Sequence, residues 1–219
     1  MRLWGDVPHV LEIATPHGPA RAQLRLVDRA RGALVLGHGA GGGVNAPDLM
    51  AATRAADAAG FSVVLVEQPY RVVGRRSPAP ATQLDAAWTA VVVELGEGVL
   101  EGLPLVTGGR SSGARVACRT AAATGASGVL CLAFPVHPPG RPEKSRLEEL
   151  DAVQIPVLVV QGERDPFGMP PPADGRTVVT IAGDHGLKSD RVALESAVTA
   201  WLSSLHGSRR RARAPRGDR

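Results

Sequence analysis

Three observations predict an α/β fold, a mainly parallel eight-stranded sheet with helices on both faces. Short, purely apolar runs such as residues 33–36 and 156–160 recur along the chain, as strands buried on both faces require. Between them lie stretches of helical spacing, opened by proline or closed by glycine. Ahead of the first apolar run, two alternating segments flank a turn, which adds an antiparallel entry hairpin to a chain of βαβ units.

Residues 9–13 and 20–28 alternate apolar with polar around Pro16-His17-Gly18-Pro19, the pattern of a half-exposed hairpin. Residues 33–36 make the first strand buried on both faces. Pro47 opens a helix that closes at Gly60, and the strand 61–66 follows directly. A helix is expected over 81–95, with Trp88 as packing, then a strand over 103–107, a helix over 112–123 and a strand over 128–133. A short helix near 145–150 leads to strands at 156–160 and 176–181, and an amphipathic helix over 190–205 ends the order.

With 219 residues, 44% hydrophobic and 21% charged, the chain can bury one sizeable core, assigned to residues 1–206. Of the formal charge of +4, residues 207–219 carry +5, six arginines against one aspartate, which leaves the body near −1. That tail lacks a large apolar anchor and repels itself, so disorder is expected. It serves solubility, or alternatively an acidic partner or nucleic acid. The near-neutral body argues against a nucleic-acid groove within the fold. Cys118 and Cys131 fall in a helix and a strand and are expected as buried free thiols. The N-terminus has no apolar signal core, and no run approaches the ~18 apolar residues of a membrane helix. A cytoplasmic protein without membrane contact is therefore expected.

Leu105 to Ala117 passes from an apolar strand through Gly108-Gly109-Arg110-Ser111-Ser112-Gly113 into a helix. This is G-x-S-x-G, a nucleophile elbow, in which Gly109 and Gly113 relieve crowding at an abrupt strand-to-helix turn and leave Ser111 exposed. The helix start aims free N–H groups and its positive dipole end at the serine oxygen.

Gly37-His38-Gly39-Ala40-Gly41-Gly42-Gly43 ends the third strand and allows three readings. As an oxyanion loop it offers the N–H of Ala40, beside that of Ser112. It also fits G-x-G-x-x-G through Gly37, Gly39 and Gly42, with Glu67 as a ribose-binding acid, although Pro47 delays the helix that a dinucleotide needs. The third reading is a plain connecting loop.

Downstream, the strand at 156–160 runs into Gln161-Gly162-Glu163-Arg164-Asp165-Pro166, and the last strand into Ala182-Gly183-Asp184-His185-Gly186. Asp165 and His185 thus follow Ser111 in the order Ser, Asp, His, as acid and general base. Asp165 alternatively serves only as a turn residue bonding its own backbone. His137, in Phe134-Pro135-Val136-His137-Pro138, is a rival base or a rigid wall. His38, Tyr70, Phe134, His137 and Phe167 are candidate pocket-lining residues at this sheet edge, with Tyr70 equally able to cap the core.

These motifs, GHGAGGG, PYR, GGRSSGARVAC, FPVHPPGRPEK and QGERDPFG, resemble the α/β-hydrolase superfamily over residues 9–205. Within it they resemble a lidless, dienelactone-hydrolase-like subgroup that also includes a subunit of a histone-acetyltransferase regulatory complex. The resemblance implies an α/β-hydrolase fold with a minimal cap, and Ser111, Asp165 and His185 as nucleophile, acid and base. The expected activity is hydrolysis of a small acyl substrate without metal or organic cofactor. A non-catalytic scaffold on the same fold is the alternative, and a nucleotide-binding protein the third. Only about twenty residues, rich in proline, separate the sixth and seventh strands, which predicts an open site suited to short acyl groups.

Overall fold

The computed structural model describes residues 9–213. Its strands are β1 (His9–Ile13), β2 (Ala20–Arg25), β3 (Ala33–Gly37), β4 (Ser62–Glu67), β5 (Leu105–Arg110), β6 (Gly128–Leu132), β7 (Val157–Gly162) and β8 (Arg176–Ile181). Its helices are α1 (Pro47–Ala58), α2 (Pro69–Val72), α3 (Ala81–Glu97), α4 (Ser112–Thr120), α5 (Leu147–Asp151) and α6 (Arg191–Arg213). One eight-stranded sheet has the order β1-β2-β4-β3-β5-β6-β7-β8, antiparallel from β1 through β2 to β4 and parallel thereafter. The order changes direction at β3, whose neighbours β4 and β5 lead to opposite edges. Loops leaving the carboxyl ends of β3 and β5 therefore diverge and leave a crevice between them.

The period of two in each strand distributes the core over both faces. Leu34 and Leu36 of β3 pack with Leu49, Ala52 and Ala56 of α1 and Leu194, Val198 and Leu202 of α6. Ala33 and Val35 turn the other way, toward Trp88, Val91 and Leu95 of α3. On that second face α4 and α5 continue the layer, where Ala114, Ala117 and Leu150 meet Val129, Val157 and Val159. Cys118 and Cys131 are buried free thiols in this cluster, their sulfurs 3.5 Å apart. The hydrogen bond to Cys118, with burial, raises the Cys131 thiol well above its ordinary range.

Several boundaries differ from expectation for identifiable reasons. β5 runs on to Arg110 because Gly108 and Gly109 stay in register with Leu130 and Cys131. β7 likewise continues through Gln161 and Gly162, opposite Thr180 and Ile181. β2 ends at Arg25, and α4 ends at Thr120. Pro69 at a helix start nucleates the four-residue α2 within a segment expected as loop. Disorder was expected from Gly207, but α6 extends to Arg213. Arginine and alanine are strong helix formers, and cations suit the negative end of the helix dipole. Residues 214–219 of the expected tail, like residues 1–8, lie outside the described residues. The connection from β6 to β7 holds α5 as its one helix. Among the described residues no helix is long and apolar enough to cross a membrane.

Candidate active site

The elbow forms where β5 turns into α4. A Cβ on Gly113 would lie 2.5 Å from the Gly37 carbonyl oxygen, and one on Gly109 would meet the same atom at 2.5 Å. Only glycine at both places lets α4 start against β3. Ser111 takes up the turn with φ 52° and ψ −109°, a conformation costing a non-glycine residue about 1–3 kcal/mol. Its own N–H is held by the Leu132 carbonyl at 2.9 Å.

Two loops from the far half of the sheet meet this serine. His185, after β8, places Nε2 2.9 Å from Ser111 Oγ, and its Nδ1 lies 2.8 Å from Oδ2 of Asp165, after β7. Asp165 has a side chain 1% exposed and divides its two oxygens between two tasks. Oδ1 accepts the N–H of Phe167 at 2.9 Å, which closes a local turn, while Oδ2 receives His185. The turn-residue reading and the acid reading of Asp165 are thus compatible. Since a carboxylate only accepts, Nδ1 carries the hydrogen and Nε2 is left to accept from the serine hydroxyl. The position beside Ser111 Oγ is held by His185, whereas His137 has Nδ1 facing the Pro138 carbonyl at 2.9 Å and its ring against Gly168, in the turn after Asp165.

The glycine loop reaches Ser111 from the other side, and a Cβ on Gly39 would stand 3.6 Å from Ser111 Cβ. Neither the N–H of Ala40 nor that of Ser112 has an acceptor among the described residues. His38 and Tyr70, expected as pocket-lining residues, are buried, and both hold this loop; Tyr70 also packs into the core, the other place expected for it. His38 Nε2 accepts the Gln68 N–H at 3.1 Å, so Nδ1 is protonated and donates to the Gly39 carbonyl at 2.9 Å. In a trans peptide C=O and N–H point opposite ways, so this bond also aims the Ala40 N–H. Tyr70 donates its hydroxyl to the next carbonyl, that of Ala40, at 3.0 Å. α1 begins at Pro47, so the glycines do not lead straight into a helix N-terminus as a dinucleotide site requires.

Burial lowers the pKa of His38, because the neutral ring is the form that fits. A lowered histidine pKa means that the unfolded chain binds the proton more tightly. The stabilisation is complete above the unfolded value of about 6.5 and is lost as pH falls through the folded value. The difference in Tm between the natural protein and His38→Asn is accordingly expected to be larger near pH 7.5 than near pH 5. Thermal melts at the two pH values check this, and an equal difference at both would show that His38 titrates alike folded and unfolded.

Of the other expected lining residues, Phe134 is fully buried in the core beside α4. Phe167 stacks on His185, ring centroids 4.1 Å apart. Two contributors carried weak signals in the sequence. Gln161, a polar residue ending an apolar strand, donates from Nε2 toward Asp165 Oδ2 at 2.9 Å and the Phe134 and Gly168 carbonyls at 3.0 and 2.8 Å. Arg110, the variable position before the serine, forms an ion pair with Asp48 of α1. Among the described residues no group of three or more His, Cys, Asp or Glu is placed to hold a metal ion.

Solved structures share this architecture. An α/β serine hydrolase homologue from Coxiella burnetii superposes with a TM-score of 0.72 at 16% identity, covering 91% of this chain and 99% of that one. A lidless α/β serine hydrolase from Xanthomonas campestris does so at 0.70 and 22%, covering 97% and 99%. A dienelactone hydrolase from Anabaena variabilis follows at 0.69 and 16%, covering 92% and 97%. At such identities the likeness establishes the α/β-hydrolase fold. Residues 30–203, most of the chain, match the alpha/beta hydrolase domain family, and the protein belongs to that family.

Proposed function

We propose that the protein is a serine hydrolase that cleaves an ester, thioester or lactone of a small substrate through an acyl-enzyme. The observation that carries this reading is the continuous relay from Ser111 through His185 to a buried Asp165, at 2.9 and 2.8 Å. Ser111 Oγ attacks the carbonyl carbon while its proton passes to His185 Nε2, and Asp165 stabilises the imidazolium. The carbonyl oxygen becomes an oxyanion bound by the N–H groups of Ala40 and Ser112. Collapse breaks the bond to the leaving oxygen or sulfur, which takes the proton from His185. Water then repeats the sequence on the acyl-enzyme, giving the carboxylic acid and free Ser111. The serine hydrolases and the dienelactone hydrolase among the structural neighbours support this class of reaction.

A fluorophosphonate probe tests the proposal directly. Covalent labelling of Ser111 is expected, and a folded protein that resists the probe would favour a non-catalytic scaffold on the same fold. The chain between β6 and β7, with the short α5 as its single helix, supplies little apolar wall for a long acyl tail. Across a series of nitrophenyl esters kcat/KM is expected to peak at short acyl chains. A maximum at long chains would contradict an open, lidless site.

A further inference from the structure

The buried ion pair beside the elbow has no part in the acyl transfer just described. Asp48, in the first turn of α1, has a side chain with no exposure, and Arg110 Nε stands 2.7 Å from its Oδ2. That oxygen has no aligned hydrogen-bond partner among the described residues and depends on the guanidinium charge; Oδ1 accepts the Leu49 N–H at 2.9 Å. Buried ion pairs seldom add much stability over apolar residues of the same size, so their geometry is the better guide to their use.

Here the geometry is specific. Arg110 precedes Ser111 directly, and its guanidinium reaches two other parts of the site. Nη2 donates to the carbonyl of His185 at 3.3 Å. Nη1 lies so close to the glycine loop that a Cβ on Gly39 would fall 2.8 Å from it. The loop after β8 is otherwise tied to itself and to the neighbouring loop after β7, through Gly186 and Leu187 to Asp184 and Arg164 to Gly183. Apart from the bond between His185 and Ser111, which must break and reform in each turnover, the Arg110 bond to His185 is the one hydrogen bond between this loop and the elbow among the described residues.

We infer that Arg110 is a positioning residue for the proposed hydrolysis: its guanidinium, held by the buried Asp48 carboxylate, fastens the His185 loop to the elbow that carries Ser111 and lies against the glycine loop at Gly39. The planar guanidinium presents donors in several directions from a rigid frame, which suits an ion pair and a carbonyl bond at once with its flat edge against Gly39. A lysine in its place could face Asp48 but not also bond the His185 carbonyl and lie against Gly39.

The inference rests on the hydrolase reading, and its test separates the two. Arg110→Met strands a buried carboxylate and lowers stability whatever the role, so the decisive protein is Arg110→Met combined with Asp48→Asn. That pair removes the charge while the asparagine oxygen can still accept the Leu49 N–H. The double variant is expected to melt near the natural protein but to show kcat toward a short nitrophenyl ester lowered about 100-fold, with KM changed by less than about threefold. Amides of residues 183–187 should exchange hydrogen about tenfold faster. Arg110→Lys should recover the Tm without recovering kcat. Wild-type kcat in the double variant, or a lowered kcat with loop exchange unchanged, would overturn the inference. So would a KM that rises alone, since that marks a substrate contact. If the natural protein hydrolyses no ester, the hydrolase reading fails, while the exchange comparison still decides whether Arg110 fastens the loop.

Discussion

Ser111→Ala is expected to lower kcat/KM toward activated esters by about 10⁴-fold or more, whereas Ser112→Ala keeps most of the activity. The two serines are adjacent and chemically alike, and the backbone distinguishes them. Ser111 sits at the bend with φ 52°, and its Oγ is the atom within 2.9 Å of His185 Nε2. Ser112 is already the first residue of α4, and its proposed contribution is an N–H that alanine also has. Neither change opens a large cavity, so both proteins should fold and melt much as the natural one does. Steady-state kinetics with both purified variants decide the matter. The reverse pattern would move the nucleophile one residue along, and equal activity in both would assign the hydrolysis to another site.

Gly113→Ala should lower stability strongly although it adds a single methyl group. The new Cβ would lie 2.5 Å from the Gly37 oxygen, 2.7 Å from the Gly37 carbonyl carbon and 2.8 Å from the His38 oxygen. All three are backbone atoms held in the parallel ladder or directly after it, so no side chain can swing aside. Either α4 withdraws from β3 or the strand end bends, at a cost of about 3 kcal/mol. The Tm should fall by roughly 10 °C. Because α4 carries the Ser112 N–H and orients Ser111, ester hydrolysis should fall in parallel. Gly42→Ala is the control for glycine content: nothing stands within 4 Å of its Cβ position, and its Tm should hold. A Gly113→Ala protein as stable as the natural one would mean that helix and strand are not held as closely as described.

What could be read from the sequence was whatever leaves a local pattern. Apolar runs and alternation located all eight strands, since burial on two faces or one is written into each strand separately. The order of Ser111, Asp165 and His185, each just beyond a strand, was enough to name three residues that meet in space. Strand ends were less legible: glycines in β5 look like loop but stay paired because neighbouring backbones approach too closely for a side chain. The hold of His38 and Tyr70 on the glycine loop is not legible in the sequence, because their partners are backbone carbonyls of one loop, which no side-chain pattern announces. Arg110 and Asp48 are 62 positions apart, and nothing near either one indicates that they pair. The end of α6 was obscured for another reason. Repeated arginines repel one another, which suggested disorder, but each is also a good helix former continuing an established helix.

The packing of α6 against α1 has a consequence for how the protein comes into being. Thr199 donates its hydroxyl to the Ala55 carbonyl at 3.2 Å, and Arg54 reaches Glu195, so α1 is completed by a helix made more than a hundred residues after it. Until that helix emerges, Leu49, Ala52 and Ala56 have an uncovered apolar face, and β8 with His185 has only just been made. The nascent chain therefore passes through a stage in which Ser111 exists without His185 and a hydrophobic surface is open to other molecules. The two exposures end almost together: the segment that brings His185 to the serine is followed within a few residues by the helix that closes the core.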